Sequence, residues 1–330
     1  MSAVRTSLMA CLLLAACDGN PFPDGGGGGG VPDPGVTPPG AVPAEVARDM
    51  NAFSYAAGVL KIDMQGVSSS GKLATFTRAA ALDVPSGTGN DGYEAYVYQD
   101  TALTRSYLAY VATNERGNLL AVSAADGGQF NEHNYGGRFV QLTAFTRPVT
   151  SDAPESGLFS YAGGYVGIFS PGEFADGSDP RSPELRPAEP FIVRGTAQIN
   201  GDFAHNAVEG GIVDRQLFRQ DGTRVNGLVI NDGDPDTVDE VIDTTTLAAL
   251  VLRETAIAED GSFLGNVEFY GVPDQDQGDY AGAFGGAGAT DVAGVLWLHP
   301  IEGQGGVWES GTFNLPRCDM AGSSPLCVPR

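Results

Sequence analysis

The stretch Gly282-Ala283-Phe284-Gly285-Gly286-Ala287-Gly288-Ala289-Thr290-Asp291-Val292-Ala293-Gly294 decides the fold. A single aromatic stands among glycines and small residues, and an apolar run follows as far as Leu298. Glycine lets a strand coil tightly or pass close to its neighbour. A nearby aromatic can fill the space left by the missing side chains. A closed sheet needs both, because its strands bend around a narrow interior. The same arrangement occurs upstream, where Ser160-Tyr161-Ala162-Gly163-Gly164-Tyr165-Val166-Gly167 echoes Asp279-Tyr280-Ala281-Gly282-Ala283-Phe284-Gly285-Gly286. Two strands meeting one packing problem account for the echo without a duplication.

Outward from these stretches, short runs alternate apolar and polar residues between Gly, Asp and Asn clusters. That pattern reads as strands with turns between them, in a sandwich or a barrel. The expected strands are Tyr93 to Tyr98, Arg105 to Ala112, Leu119 to Ala124, Phe139 to Phe145, Gly164 to Phe169 and Ile192 to Ile199. Val208 to Leu217, Gly227 to Ile230, Phe263 to Tyr270, Val292 to Leu298 and Gly311 to Leu315 complete the set. Helical signals are few. Pro43 to Met50 fits one or two turns, and Thr245 to Arg253 fits either a helix or a buried strand, since periodicity does not separate the two. The proline-flanked polar run Arg147 to Pro154 places a boundary between about Thr146 and Ser156. A β-rich unit at 44–150 and a second at 156–330 are therefore expected.

The N-terminus reads as an export signal. Arg5 precedes an apolar run from Leu8 to Ala16, too short to span a bilayer. Leu14-Ala15-Ala16-Cys17 resembles the bacterial lipobox, in which residues 1–16 are removed and the cysteine receives diacylglycerol. An ordinary signal with a chance cysteine is the other reading. Residues 17–43 suit a tether, with glycines from Gly25 to Gly30 and then Pro32, Pro34, Pro38 and Pro39. Glycine maximises chain entropy and proline removes backbone donors, so no packed element is expected here. About 25 residues of such chain reach many tens of ångströms. The expected location is the cell envelope, at the outer membrane or cell surface. Asp18 resembles a retention signal, which keeps the periplasmic face of the inner membrane open.

The formal net charge is -23, from 18 basic and 41 acidic residues. Such a chain cannot neutralise phosphates, which excludes a nucleic-acid partner, and it opposes adsorption to anionic lipid. The membrane is reached through the lipid on Cys17 instead. The acidity itself reads as solubility, or as an affinity for cations or a basic partner. Of four cysteines, Cys11 falls in the signal and Cys17 is lipidated. Cys318 and Cys327 read as a disulfide across a turn-rich loop. A metal site is less fitting, since no His or further Cys completes a ligand set nearby.

No catalytic residue can be named. His133, His205 and His299 are scattered, and no Gly-x-Ser-x-Gly elbow, phosphate loop or dinucleotide fingerprint occurs. No cofactor is required on this reading. The sharpest ligand candidate is Asp232-Gly233-Asp234-Pro235-Asp236, which with Asp243 matches positions 1, 3, 5 and 12 of a helix-loop-helix Ca²⁺ loop. Thr237 stands where that loop needs glycine, and a solvated acidic hairpin loop is the preferred reading. Asp274-Gln275-Asp276-Gln277-Gly278-Asp279 is a second acidic turn. Both loops at one barrel end would form a patch for a basic partner.

Residues Gly282, Phe284, Gly286, Ala289 and Gly294, with Asp291 in place of a glutamate, resemble the barrel motif of transferrin-binding protein B and related surface lipoproteins. Gly285, Ala287 and Ala293 depart from that motif. Ile199-Asn200-Gly201-Asp202-Phe203, Val208-Glu209-Gly210-Gly211-Ile212, Asp260-Gly261-Ser262-Phe263-Leu264-Gly265 and Glu309-Ser310-Gly311-Thr312-Phe313 resemble further strands of the family. The resemblance spans about 160–315. It implies an all-β chain with an N-terminal handle-like domain, followed by an antiparallel barrel of about eight strands. Phe203, Phe263, Phe284 and Phe313 would point into that barrel. It also implies a binding protein or receptor for a host protein, haem or another solute. A structural or protective envelope lipoprotein without a small ligand is the alternative, and a secreted hydrolase fits least.

Overall fold

The computed structural model describes residues 42–67, 72–85, 92–128, 133–151, 156–173, 189–230, 240–243, 245–299, 306–320 and 323–327. A single short helix, α1 (Ala44–Ala47), precedes the strands. Strands β1 (Met50–Ala56), β2 (Val59–Met64) and β3 (Ala74–Thr75) make a three-stranded sheet. Next come β4 (Thr77–Arg78), β5 (Val84–Pro85), β6 (Gly92–Tyr98), β7 (Tyr107–Ala112), β8 (Leu119–Asp126) and β9 (Tyr135–Gln141). They form a second sheet in the order β4-β6-β7-β8-β9, with β5 also on β6.

The rest of the chain winds into a barrel. Its strands are β10 (Leu158–Glu173), β11 (Phe191–Asp202), β12 (Ala207–Phe218), β15 (Leu250–Ala256), β16 (Ser262–Phe269), β17 (Gly278–Gly285), β18 (Asp291–Leu298) and β19 (Gly306–Pro316). All neighbours are antiparallel, and β19 pairs back onto β10 to close the ring. A separate hairpin, β13 (Gly227–Ile230) with β14 (Glu240–Asp243), stands between β12 and β15. The chain is therefore all-β, with an eight-stranded antiparallel barrel behind an N-terminal β-rich part.

The six-stranded sheet is a middle layer, which explains its sequence. β7 and β8 are buried along their whole length. Leu108, Tyr110, Ala112 and Ala121 pack towards the outer barrel wall with Ala283, Ala293 and Val295. Tyr107, Ala109, Val111 and Val122 pack towards Leu60, Ile62 and Met64 of the small sheet. A strand covered on both faces has no polar side to show, so Tyr107–Ala112 and Leu119–Asp126 read as nearly continuous apolar runs.

Inside the barrel, Phe203, Phe263, Phe284 and Phe313 share one core with Tyr161, Tyr165 and Tyr280. These positions include the two aromatics of each echo stretch. Phe284 is the hub, with ring centroids 4.9 Å from Phe203, 5.3 Å from Tyr161 and 5.4 Å from Phe263. Gly282 and Gly294 lie directly opposite each other on β17 and β18. A Cβ on Gly282 would sit 2.6 Å from Phe263 Cζ, and one on Gly294 2.6 Å from Phe313 Cζ. The paired glycines thus make the notch into which two phenylalanines fit.

Several expectations need correction. The strand expected at Phe139 to Phe145 runs from Tyr135 to Gln141 instead. Its start at Tyr135-Gly136-Gly137 looks like a turn, but both glycines are demanded by packing. A Cβ on Gly136 would meet Ala47 O at 2.2 Å and one on Gly137 would meet Val295 Cβ at 2.7 Å. The ambiguous Thr245 to Arg253 run becomes strand β15 over Leu250–Ala256, part of the barrel wall. β1 and β2 were not anticipated. They are half-exposed, and Pro43 to Met50 supplies only the one turn of α1 before them. Cys318 and Cys327 form the disulfide, and Cys318 N–H donates to Ser160 O at 2.8 Å, fastening the loop to the start of β10.

Candidate functional site

The two ends of the barrel differ. At one end the connections are short: 203–206, 257–261 and 286–290. At the other they are 174–190, 219–249, 270–277 and 299–305. The β6–β7 and β8–β9 connections emerge at this same end, because Asp126 at the end of β8 accepts a hydrogen bond from Ser170 near the end of β10. Rigid strands thus bring the roots of the longer connections to one end, and such connections are the usual place for recognition.

Among the described residues of that end, Leu103, Tyr270 and Val272 are exposed, at 87%, 77% and 40% of their surface. The Tyr270 turn is held firmly. Tyr270 N–H donates to Ala249 O at 2.8 Å, Val272 N–H to Phe269 O at 3.0 Å, and Gly271 takes φ +89°. Asp274 N–H donates to Glu268 at 3.0 Å, and Arg253 bridges Glu268 and Asp274. Asn266 links Asp276 and Asp279, while Trp297 Nε1–H donates to Asp279 at 3.1 Å. Burial first, then the nearby Asp276 and Glu45, raises the Asp279 carboxyl above its ordinary value.

Both acidic stretches belong to connections that leave the barrel at this end. Asp232, Asp234 and Asp236 lie outside the described residues. Asp243 is the last residue of β14, opposite Gly227 of β13. The segment before the loop is therefore a strand, and the loop's last four positions, Glu240–Asp243, lie in β14, unlike a helix-loop-helix Ca²⁺ site. Cys17, the signal and residues up to 41 also lie outside the described residues.

The histidines stand in three separate places. His133 Nδ1 is 3.2 Å from Asp126, and His205 Nδ1 is 2.8 Å from Asp202 at the exposed β11–β12 turn. His299 lies beside Trp297. Among the described residues no group of three or more His, Cys, Asp or Glu side chains could hold a metal ion.

Two buried polar clusters escape sequence reasoning. In the barrel, Arg215 of β12 pairs with Glu309 of β19, and Tyr165 OH of β10 donates to Glu309 at 2.6 Å. Arg215 and Glu309 side chains are 4% and 0% exposed. Burial first, and then the Glu309 charge, raises the Tyr165 hydroxyl well above its ordinary value, so it stays a donor. Glu309 sits two residues before Gly311 and four before Phe313 on the inward side of β19. That parity was the one available signal.

The second cluster fixes the motif's acidic residue. Asp291 is fully buried where the six-stranded sheet meets the barrel. It accepts from Asn118 Nδ2 at 2.6 Å, Thr290 Oγ1 at 2.7 Å, Arg116 Nη1 at 3.0 Å and Asn114 Nδ2 at 3.1 Å. Asn114 also donates to Asn314 Oδ1 at 2.7 Å. Gly286 and Ala289 shape the adjoining turn with φ +74° and +56°, and Ala289 O accepts from Tyr161 OH at 2.7 Å. Asp291→Ala removes the buried carboxylate that four donors share. The expected cost is about 2–4 kcal/mol, read as a lower urea midpoint. A loss below about 0.5 kcal/mol would show that the network does not hold the seam.

The molecule is thus a filled antiparallel barrel with a β-layer on its wall and its longer loops at one end. Among solved structures it is similar to transferrin binding protein B from three sources. One is the intact Ap-TbpB with N and C lobes, at 12% identity and TM-score 0.33, over 75% of this chain and 41% of that one. Another is the Trp-176-Ala mutant from Haemophilus parasuis Hp5, at 10% and 0.34, over 78% and 50%. The third is the isotype 1 protein from serogroup B Neisseria meningitidis, at 13% and 0.30, over 80% and 51%. The chain spans about half the length of these proteins or less. At this level of similarity nothing about a ligand passes from them to this chain. No protein-family model and no curated protein matches it.

Proposed function

We propose that the chain is a lipid-anchored envelope binding protein that captures a macromolecular partner with the long-loop end of its barrel. The observation behind this reading is the pairing of a filled bore with one-sided loops. The interior carries one continuous apolar core from Tyr161 to Leu315, which favours recognition outside the bore. Recognition then falls to the surface, where Tyr270 and Leu103 stand out in solvent. Rigid exposed aromatics are good anchors for a protein partner, or for haem carried by one. Inside the barrel Arg215, Glu309 and Tyr165 pair with one another, which suits a scaffold. The lipobox at Cys17 and the glycine–proline linker support attachment to the outer membrane with the folded part held clear of it.

The test uses the full chain in its own cells. Cys17→Ser is expected to move the protein out of the membrane fraction, and labelling of intact cells is expected to mark the wild type. Partners captured by the wild type are expected to be lost with Leu103→Ala/Tyr270→Ala. An unchanged set of partners from that variant would place recognition elsewhere.

A further inference from the structure

Residues 42–49 are the first described part of the chain, and they enter the molecule at the seam between the six-stranded sheet and the barrel. Val46 and Ala47 are 1% and 4% exposed, and Val46 belongs to the apolar core that fills the seam. Arg48 takes the left-handed conformation, φ 45°, and turns its guanidinium across both partners. Its Nη2 donates to Tyr135 OH of β9 at 2.9 Å. Its Cζ lies 3.9 Å from the centroid of Trp297 on β18 and 5.4 Å from that of Tyr135. The two rings stack at 5.5 Å. Asp49 then binds β9 twice: its N–H donates to Tyr135 O at 3.0 Å, and its side-chain carboxylate accepts from Tyr135 N–H at 3.1 Å. Arg138 Nε–H donates to Met50 O at 2.7 Å.

We propose that this segment is a clasp whose release loosens the sheet from the barrel while leaving the barrel itself folded. Three features support that reading. Its bonds reach both units at once, through Tyr135 on one side and Trp297 on the other. Its own fold is a single helical turn, too short to persist when detached. It is also the point where any pull on the preceding chain arrives first. A partner or a load that draws out residues 42–49 would remove the Arg48 bridge before disturbing a strand ladder.

Hydrogen exchange on the full chain tests the clasp. Arg48→Ala is expected to raise amide exchange about tenfold, equivalent to about 1.4 kcal/mol, in β9, with the barrel strands β11, β12 and β18 unchanged. Tyr135→Phe, which removes only the hydroxyl, is expected to give a smaller rise at the same places. A rise confined to residues 42–49 would make the segment a mere tail, and a rise spread equally into β11 and β12 would mean general destabilisation. Either result overturns the proposal. In a pulling experiment through the N-terminal chain, the first extension is expected to be about 30 Å, eight residues of extended chain. Arg48→Ala should lower its force. A first step of hundreds of ångströms would mean that a whole sheet yields first, and would also overturn it.

Discussion

Gly294→Val is expected to prevent the barrel from closing. A Cβ at this position would lie 2.5 Å from Ala281 O and 2.6 Å from Phe313 Cζ, and Gly282 Cα stands only 3.2 Å away across the ladder. None of these can give way cheaply. Ala281 O belongs to the neighbouring strand of the ladder, and Phe313 is fully buried. Overpacking a tight site costs about 1–3 kcal/mol, and more where backbone is struck. Valine adds two methyl groups to a site too small for one carbon, so a loss above about 3 kcal/mol is expected. Thermal unfolding followed by tryptophan fluorescence checks this, since Trp297 lies on the same strand. As a control, Gly288→Ala meets nothing within 4 Å, and its strain comes only from φ +73°. A Gly294→Val protein with an unchanged midpoint would refute the glycine notch as the reason the motif is glycine-rich.

The second large effect is expected from Glu309→Ala. This change leaves the Arg215 guanidinium buried without its carboxylate and deprives Tyr165 OH of its acceptor. Breaking one side of a buried ion pair typically costs about 3–5 kcal/mol, because the remaining charge stays desolvated. Replacing both partners behaves differently. Arg215→Met/Glu309→Leu removes both charges and is expected to recover most of the loss. Urea unfolding of Arg215→Met, Glu309→Leu and the double variant reads the coupling directly. Glu309→Ala within about 1 kcal/mol of wild type would mean that water or a shifted Arg215 satisfies the site.

Much of this architecture was legible from short-range pattern. The inward direction of Phe203, Phe263, Phe284 and Phe313, implied by the family resemblance, is the observed one, and Gly227–Ile230 was located to the residue. The misplaced start of β9 has one cause, which is the use of glycine as punctuation. β9 begins on Tyr135-Gly136-Gly137 because α1 and Val295 press against those two positions. β17 is glycine-rich for the same reason, with Gly282 against Phe263 and Gly285 against Leu119. The seam was invisible for a different reason. Asn114, Arg116 and Asn118 meet Asp291 from more than 170 residues away, and the polar stretch that holds them looks like any exposed loop.

By itself the sequence determined the strand-rich class, the Cys318–Cys327 pairing and the acidic character. Each of these follows from neighbouring residues or from composition. Only the tertiary structure decided how the strands close, which faces of β7 and β8 are covered, and which loops share an end. It also decided that Arg215, Glu309 and Asp291 sit inside. Closure and burial are properties of distant segments brought together, and a charged residue reads as solvent-exposed until the partner that compensates it has been placed.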